Sequence, residues 1–174
     1  QQRVGEPARL VRHDAPGQPA CLERLEHDFE PVEQASAVGQ VLGVEITMVS
    51  RAGHSADLSG PVMTRALCHF DNAYWLPDVA MHGYSGKTNT QSNTAFRGFG
   101  GPQGAIAIEN ILDSIARTLG RDAMDVRRAN FYGTDTNNVT PYGQVVTDNI
   151  VHELTAELEA SSDYRARREE IAQF

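Results

Sequence analysis

The amino-acid sequence predicts an α+β domain, and three of its features support this class. A run of β-branched and apolar residues from Val41 to Val49 lies between two glycines and is typical of a strand. A long amphipathic pattern from Pro102 to Leu119 is typical of a helix. The predicted strands precede most of the predicted helices, and the chain has no internal repeat.

The first 40 residues are rich in proline, glycine, alanine and charged residues, and their periodicity is weak. The pattern allows short strands at Ala8–Val11 and Phe29–Val32, and it indicates connecting segments elsewhere. Val41–Val49 is then the first well-defined strand, because its β-branched residues suit a pleated surface.

A helix is predicted from Gly60 to about Asn72, since proline at position 61 suits a first helical turn. Its apolar residues recur at helical spacing, and Arg65 lies toward the edge of the stripe that they form. These apolar residues are Val62, Ala66, Leu67 and Phe70. The broad alternation from Tyr74 to Gly83 predicts another strand.

The helix from Pro102 to Leu119 carries an apolar stripe and is followed by Gly120, the residue type favoured just after a helix end. The stripe consists of Ile108, Ile111, Leu112, Ile115 and Leu119. Asp122 can cap a further helix that runs to about Phe131. Two more helices are expected, from Asp148 to Ala160 and from Tyr164 to Gln173.

Composition excludes several classes of function. The net charge of −8 argues against nucleic-acid binding through phosphate neutralisation, and no apolar run approaches membrane-spanning length. Cys21 and Cys68 form no C-x-x-C pair, so we expect neither an iron–sulfur site nor a disulfide framework, and we expect a cytoplasmic setting. The scattered histidines predict no protein-ligated metal. The chain opens at Gln1 without a signal-peptide pattern, so we expect a piece of a longer polypeptide.

The segment from Thr90 to Gly104 organises the rest of the chain. Gly98, Gly100 and Gly101 allow positive φ angles and a close approach to a ligand, and Pro102 suits the helix start that follows. Backbone N–H groups and the positive end of a helix would therefore meet at one place, which favours an anion or an oxo group.

Two aromatic residues, Phe96 and Phe99, flank Arg97 in this loop, so a flat aromatic ligand could stack beside a positive charge. A glycine-rich turn before a helix is often only a turn. The spacing is also not the dinucleotide fingerprint, since the third glycine is replaced by Gln103.

The twelve residues from Ser92 to Gln103 resemble the signature of the xanthine dehydrogenase and aldehyde oxidase family, in the subunit that binds the molybdenum cofactor. Asp57–Leu67, His69–Asn72 and Lys87–Thr90 fit the same family. The likeness is greatest to the bacterial xanthine dehydrogenases. On this resemblance, we expect residues 1–174 to form a single segment of a molybdenum-cofactor-binding domain. Residues 1–40 match the family poorly, and residues 41–174 match it well.

The resemblance implies a fragment of the molybdopterin-binding domain, with short strands, a glycine-rich loop and several helices. It implies a molybdenum–molybdopterin cofactor, with 2Fe–2S clusters and FAD elsewhere in the complete enzyme and NAD as electron acceptor. The expected partners are a purine such as xanthine or hypoxanthine, the remainder of the molybdenum subunit, and the iron–sulfur and flavin subunit. The isolated chain is expected to be inactive.

The resemblance also assigns roles to residues. Arg65 matches an arginine that contacts the purine and stabilises the charge developing during catalysis, whereas aldehyde-oxidising members commonly carry another residue there. Phe99 matches the phenylalanine that stacks on the substrate. Phe96, Arg97 and Gly98 match the cofactor-binding loop, with the Arg97 main chain beside the molybdenum centre.

Two other interpretations remain open: an aldehyde oxidase of the same family, and an inactive fragment that acts only as an interaction module. Val4–Pro7 is similar to a family motif whose glutamate is the catalytic base. That motif lies far beyond the glycine-rich loop in the family, whereas here it precedes the loop. We therefore assign Glu6 no catalytic role.

Overall fold

A computed structural model describes residues 32–174 of the chain. The strand predicted at Ala8–Val11, most of the strand predicted at Phe29–Val32, and Glu6 lie outside the described residues. Within 32–174 the chain forms three strands and five helices. In chain order these are β1 Val32–Ala35, β2 Val41–Gly53, α1 Ser59–Cys68, β3 Val79–Lys87, α2 Gly101–Leu119, α3 Ala123–Asn130, α4 Val151–Ser161 and α5 Tyr164–Gln173.

The sheet has the strand order β1-β2-β3, with β1 antiparallel to β2 and β2 parallel to β3. Parallel neighbours require a crossover connection, and α1 provides it. The pairing runs from Val44 opposite Val79 to Gly53 opposite Lys87. The carboxyl ends of β2 and β3 therefore lie at the same edge of the sheet, and the glycine-rich loop follows from that edge.

The segment after β3 is bound to the end of β2. The Asn93 N–H donates to the Ala52 carbonyl at 2.8 Å, and the His54 N–H donates to the Thr90 carbonyl at 3.0 Å. Gly53 has a φ of 89°, and a Cβ atom there would stand 2.2 Å from the Gln91 carbonyl oxygen. Only glycine allows this approach, so the polar residues before the loop are fixed against the sheet.

The hydrophobic core lies between the sheet and helices α1 to α3. Its largest fully buried side chains are Phe70, Ile108, Leu112, Val41 and Val126. The stripe predicted on α2 faces this core, because Ile108, Ile111, Leu112 and Ile115 are all buried, whereas Leu119 at the helix end is exposed. Burial of this stripe supplies most of the apolar contact that fixes α2 over the sheet.

The α+β class is confirmed, and several predicted boundaries shift. The strand predicted from Tyr74 begins only at Val79, because Tyr74 is buried in an irregular segment that forms an isolated bridge with Phe131. Helix α1 ends at Cys68 rather than near Asn72, whose φ of 48° is not helical. Helix α4 likewise begins after Asp148, whose φ is 53°.

Candidate functional site

The glycine-rich loop makes a tight turn in the left-handed region of backbone space. Gly98, Phe99 and Gly100 have φ angles of 97°, 51° and 100°. The turn is closed by hydrogen bonds from Phe99 N–H to the Phe96 carbonyl at 2.9 Å and from Gly101 N–H to the Gly98 carbonyl at 3.0 Å. Phenylalanine rarely adopts a positive φ, so the backbone strain at Phe99 marks a position held by its surroundings.

The loop and the start of α2 lie directly against the backbone of α1. A Cβ atom at Gly100 would stand 2.1 Å from the Val62 carbonyl oxygen, and one at Gly104 would stand 2.2 Å from that of Ala66. No side chain fits at either position without displacing the helix. Because neither position carries a side chain, the two helices pack closely and the loop lies directly against α1.

This packing brings Arg65 to the loop. The Nε atom of Arg65 lies 3.9 Å from the position that a Cβ atom of Gly101 would occupy. Arg65 is exposed, and it forms no ion pair with any carboxylate in the part of the chain that the structure describes. Its guanidinium is therefore available to a ligand at the start of α2.

Several backbone N–H groups of the loop have no hydrogen-bond acceptor within the described residues. Those of Arg97, Gly98 and Gln103 donate to no acceptor among residues 32–174, and Gly100 caps α2 without a side-chain hydrogen bond. The 19-residue helix α2 adds the positive end of its dipole at this place. Open donors at a helix start suit an oxo or phosphate group, so these residues fit one side of a molybdenum–molybdopterin cofactor.

The two loop phenylalanines differ in their surroundings. Phe96 is 84% exposed, whereas Phe99 is partly buried in the turn. The Arg97 side chain is exposed, and it forms no ion pair or side-chain hydrogen bond within the described residues. The structure thus places Arg65 at the loop and leaves Phe96 and Arg97 on its open surface.

Two cavities were not predicted from the sequence. One, of about 370 Å³, lies between β2, α1 and α2. Its lining includes Met48, Val62, Met63, Ala66, Gln103 and Ala107. Neither Arg65 nor Phe99 lines this cavity, but Asn93, Thr94 and Gln103 do, so the cavity adjoins the glycine-rich segment.

The other cavity, of about 340 Å³, adjoins the end of α1 and contains Asp71, which is 4% exposed. Burial raises the pKa of the Asp71 carboxyl, although a hydrogen bond from the Tyr132 hydroxyl at 2.5 Å and the charge of His69 oppose this. Burial and the neighbouring carboxylate raise the pKa of the Tyr132 hydroxyl as well. The sequence pointed to Asp71 only as part of the His69–Asn72 segment that fits the family.

No helix in residues 32–174 is both long enough and apolar enough to cross a membrane.

Comparison with known proteins decides the family. The model of the molybdopterin cofactor-binding domain matches residues 34–131. The chain belongs to the xanthine dehydrogenase and aldehyde oxidase family. The matched residues include α1, the glycine-rich loop and α2, so the family assignment covers the whole of the candidate site.

Relatives within this family carry different names. The chain is 44% identical over 136 residues to a xanthine dehydrogenase of Drosophila pseudoobscura pseudoobscura, covering 78% of this chain and 10% of the relative. It is 39% identical over 137 residues to a nicotinate hydroxylase of Emericella nidulans, and the match covers 78% of this chain and 10% of that relative. The chain thus spans about a tenth of the length of these curated relatives.

A solved structure of a related protein is similar to this chain in fold. The aldehyde oxidoreductase from Desulfovibrio gigas is similar with a TM-score of 0.68 and 25% sequence identity, covering 74% of this chain and 14% of that one. Members of the xanthine dehydrogenase and aldehyde oxidase family bind a molybdopterin cofactor through this domain. Their iron–sulfur clusters and flavin belong to other domains.

Proposed function

We propose that this chain forms one wall of the molybdenum centre in a hydroxylase that oxidises a purine, xanthine or hypoxanthine, at an electrophilic ring carbon. The observation that carries the proposal is the position of Arg65 beside Gly101, next to the strained turn and its open N–H groups. The molybdenum–molybdopterin cofactor, when bound, would supply the oxidation of the ring carbon with an oxygen atom from water.

Each residue of the wall has a distinct task under this proposal. Arg65 binds the purine and stabilises the negative charge that builds on its ring, a task that suits a permanently charged planar group. Phe99 stacks on the ring. The loop residues Phe96, Arg97 and Gly98 hold the cofactor, with the open N–H groups of Arg97 and Gly98 as donors. With the cofactor bound, the main chain at Arg97 would lie beside the molybdenum.

The rest of the reaction depends on other parts of the complete cytoplasmic enzyme. In the complete enzyme, 2Fe–2S clusters and FAD would supply electron transfer to NAD. The partners of this chain would then be the remainder of the molybdenum subunit and the iron–sulfur and flavin subunit. The chain by itself contributes orientation and charge stabilisation, and it is inactive alone.

The second candidate substrate is an aldehyde. The similarity to the aldehyde oxidoreductase from Desulfovibrio gigas favours it. Arg65 favours the purine instead, because its fixed charge benefits a reaction in which negative charge spreads over a ring. The two candidates therefore predict different effects of removing this charge.

The test is Arg65→Met in the complete enzyme, with xanthine and a small aromatic aldehyde as substrates. The substitution keeps much of the side-chain volume and removes the charge. We expect kcat/KM for xanthine to fall by on the order of 10²-fold or more, and that for the aldehyde to change little. The matched control is Arg117→Met, an exposed arginine at the far end of α2 that pairs with Asp113. Equal losses on both substrates, or none on xanthine, would contradict the purine assignment.

A further inference from the structure

His69 lies on the same side of α1 as Arg65, one helical turn further along. Its N–H donates to the carbonyl of Arg65 at 3.0 Å and to that of Ala66 at 3.3 Å. Residues four apart on a helix are neighbours on its surface. Cγ and Cδ2 of the His69 ring lie 3.8 and 3.6 Å from the position of a Gly101 Cβ atom, where the Arg65 Nε atom is 3.9 Å away.

Arg65 needs such a neighbour to have a defined position. It is exposed and has no carboxylate partner among residues 32–174, and a free arginine side chain has many rotamers to lose. The His69 ring and the Arg65 Nε atom both lie within 4 Å of the same point over Gly101, which brings the two side chains together there. Both groups lie at ordinary van der Waals distance from the Cβ position of Gly101.

His69 is exposed, and it also borders the cavity at the end of α1. That cavity also contains Asp71, Cys68 and Tyr142. Asp71 in turn is held by the hydroxyl of Tyr132. The exposed imidazole thus borders the cavity of Asp71, and its ring lies over Gly101 beside the Nε atom of Arg65.

We propose that His69 is a positioning residue for Arg65, holding the guanidinium against Gly101 where a bound substrate meets it. This inference rests on the proposed function of Arg65 and extends it to a residue with no assigned role. His69 touches neither cofactor nor substrate under the proposal, so its whole effect on catalysis passes through Arg65.

A double-mutant cycle in the complete enzyme tests this, since two residues that act through one another are not additive. We expect His69→Ala to lower kcat/KM for xanthine on the order of 10-fold, mainly through kcat, and to change that for an aromatic aldehyde by less than about 2-fold. In the Arg65→Met background the same change should cause no further loss on xanthine. His69→Gln, which keeps a flat polar group, should restore most of the activity of His69→Ala.

The control is Thr64→Ala, an exposed neighbour on α1 that does not reach Gly101, and it should have no effect. A crystal structure of the His69→Ala enzyme gives a readout besides activity, and it should show the guanidinium displaced from Gly101. An unchanged guanidinium, or additive losses in the cycle, would overturn the positioning role while leaving the function of Arg65 intact. If Arg65→Met alone leaves xanthine turnover unchanged, the proposed function fails, and the crystal structure still decides whether His69 positions Arg65.

Discussion

Gly104 lies directly against the carbonyl of Ala66, so that a Cβ atom at Gly104 would stand only 2.2 Å from that oxygen. One turn earlier, Gly100 makes the equivalent approach to Val62. At these two positions helices α1 and α2 therefore meet through backbone rather than through side chains. Any shift of α1 moves the start of α2, and the residue pair Arg65 and Gly101 keeps its spacing because of this contact.

Gly104→Ala should destabilise the chain, although alanine is intrinsically the better helix former by about 1 kcal/mol. The added methyl group meets the Ala66 carbonyl and the backbone at His69 and Phe70, which cannot yield as a flexible side chain can. We expect a net loss on the order of 1–3 kcal/mol in the free energy of unfolding, measured by urea titration. Gly101→Ala is the matched control, because its nearest contact at 3.6 Å is an ordinary one. Equal stability of the two variants would refute the close-contact argument.

Gly100→Val should distort the loop itself. Valine at a φ of 100° costs on the order of 1–3 kcal/mol of backbone strain, before its side chain meets the Val62 carbonyl. We expect the turn at Gly98–Gly101 to open and turnover by the complete enzyme to fall. A crystal structure of the variant and steady-state kinetics check both. An unchanged loop with full turnover would show that the glycine is not required.

Helical parts of the fold follow from local sequence. Gly120, predicted after the end of α2, has a φ of 62°. The side chain of Asp122 accepts a hydrogen bond from the Met124 N–H at 2.9 Å, as its position before α3 predicts. Both features depend on residues within one helical turn, so a local sequence pattern is enough to predict them.

Features that depend on distant residues could not be predicted in this way. The broad alternation from Tyr74 to Gly83, with Trp75, Val79 and Met81, indicated a strand, but the strand begins only at Val79. Tyr74 is buried in an irregular segment, since alternation reports burial and not pairing. The parallel pairing of β2 with β3 depends on the path of α1 between them. The resemblance pointed to Arg65 and the loop separately, and only the glycine contacts show how the chain brings them together.

The pH dependence of the free energy of unfolding should reflect the raised pKa of Asp71. Because burial raises its pKa above the ordinary value of 3.8, the folded chain keeps a proton that the unfolded chain releases once the pH exceeds that value. This contribution to stability is complete below about pH 3.8 and is lost as the pH rises through the window up to the folded pKa, with a slope of at most about 1.4 kcal/mol per pH unit.

The variant Asp71→Asn has no such proton and can still accept the hydrogen bond from Tyr132. Relative to this variant, the unsubstituted chain should become less stable as the pH rises from 4 toward neutrality, as measured by urea unfolding at a series of pH values. The exposed Asp78→Asn serves as the control for removing a carboxylate. A constant difference between the Asp71→Asn variant and the unsubstituted chain across this range would contradict the role of burial.

The last prediction concerns the cofactor, and it follows from how little of its surroundings this chain can supply. The described residues offer one loop, which carries Arg97 and N–H groups without an acceptor, and the nearby Arg65 of α1. The chain also spans only about a tenth of the curated relatives. A few exposed donors without a surrounding pocket provide too little binding free energy to offset the entropy lost when a large charged group is immobilised. We therefore expect the purified 174-residue chain, produced together with the cofactor-making enzymes, to contain no stoichiometric molybdenum by metal analysis. The complete enzyme, prepared in parallel, should contain it. One molybdenum per isolated chain would mean that the loop and α2 bind the cofactor without the rest of the subunit.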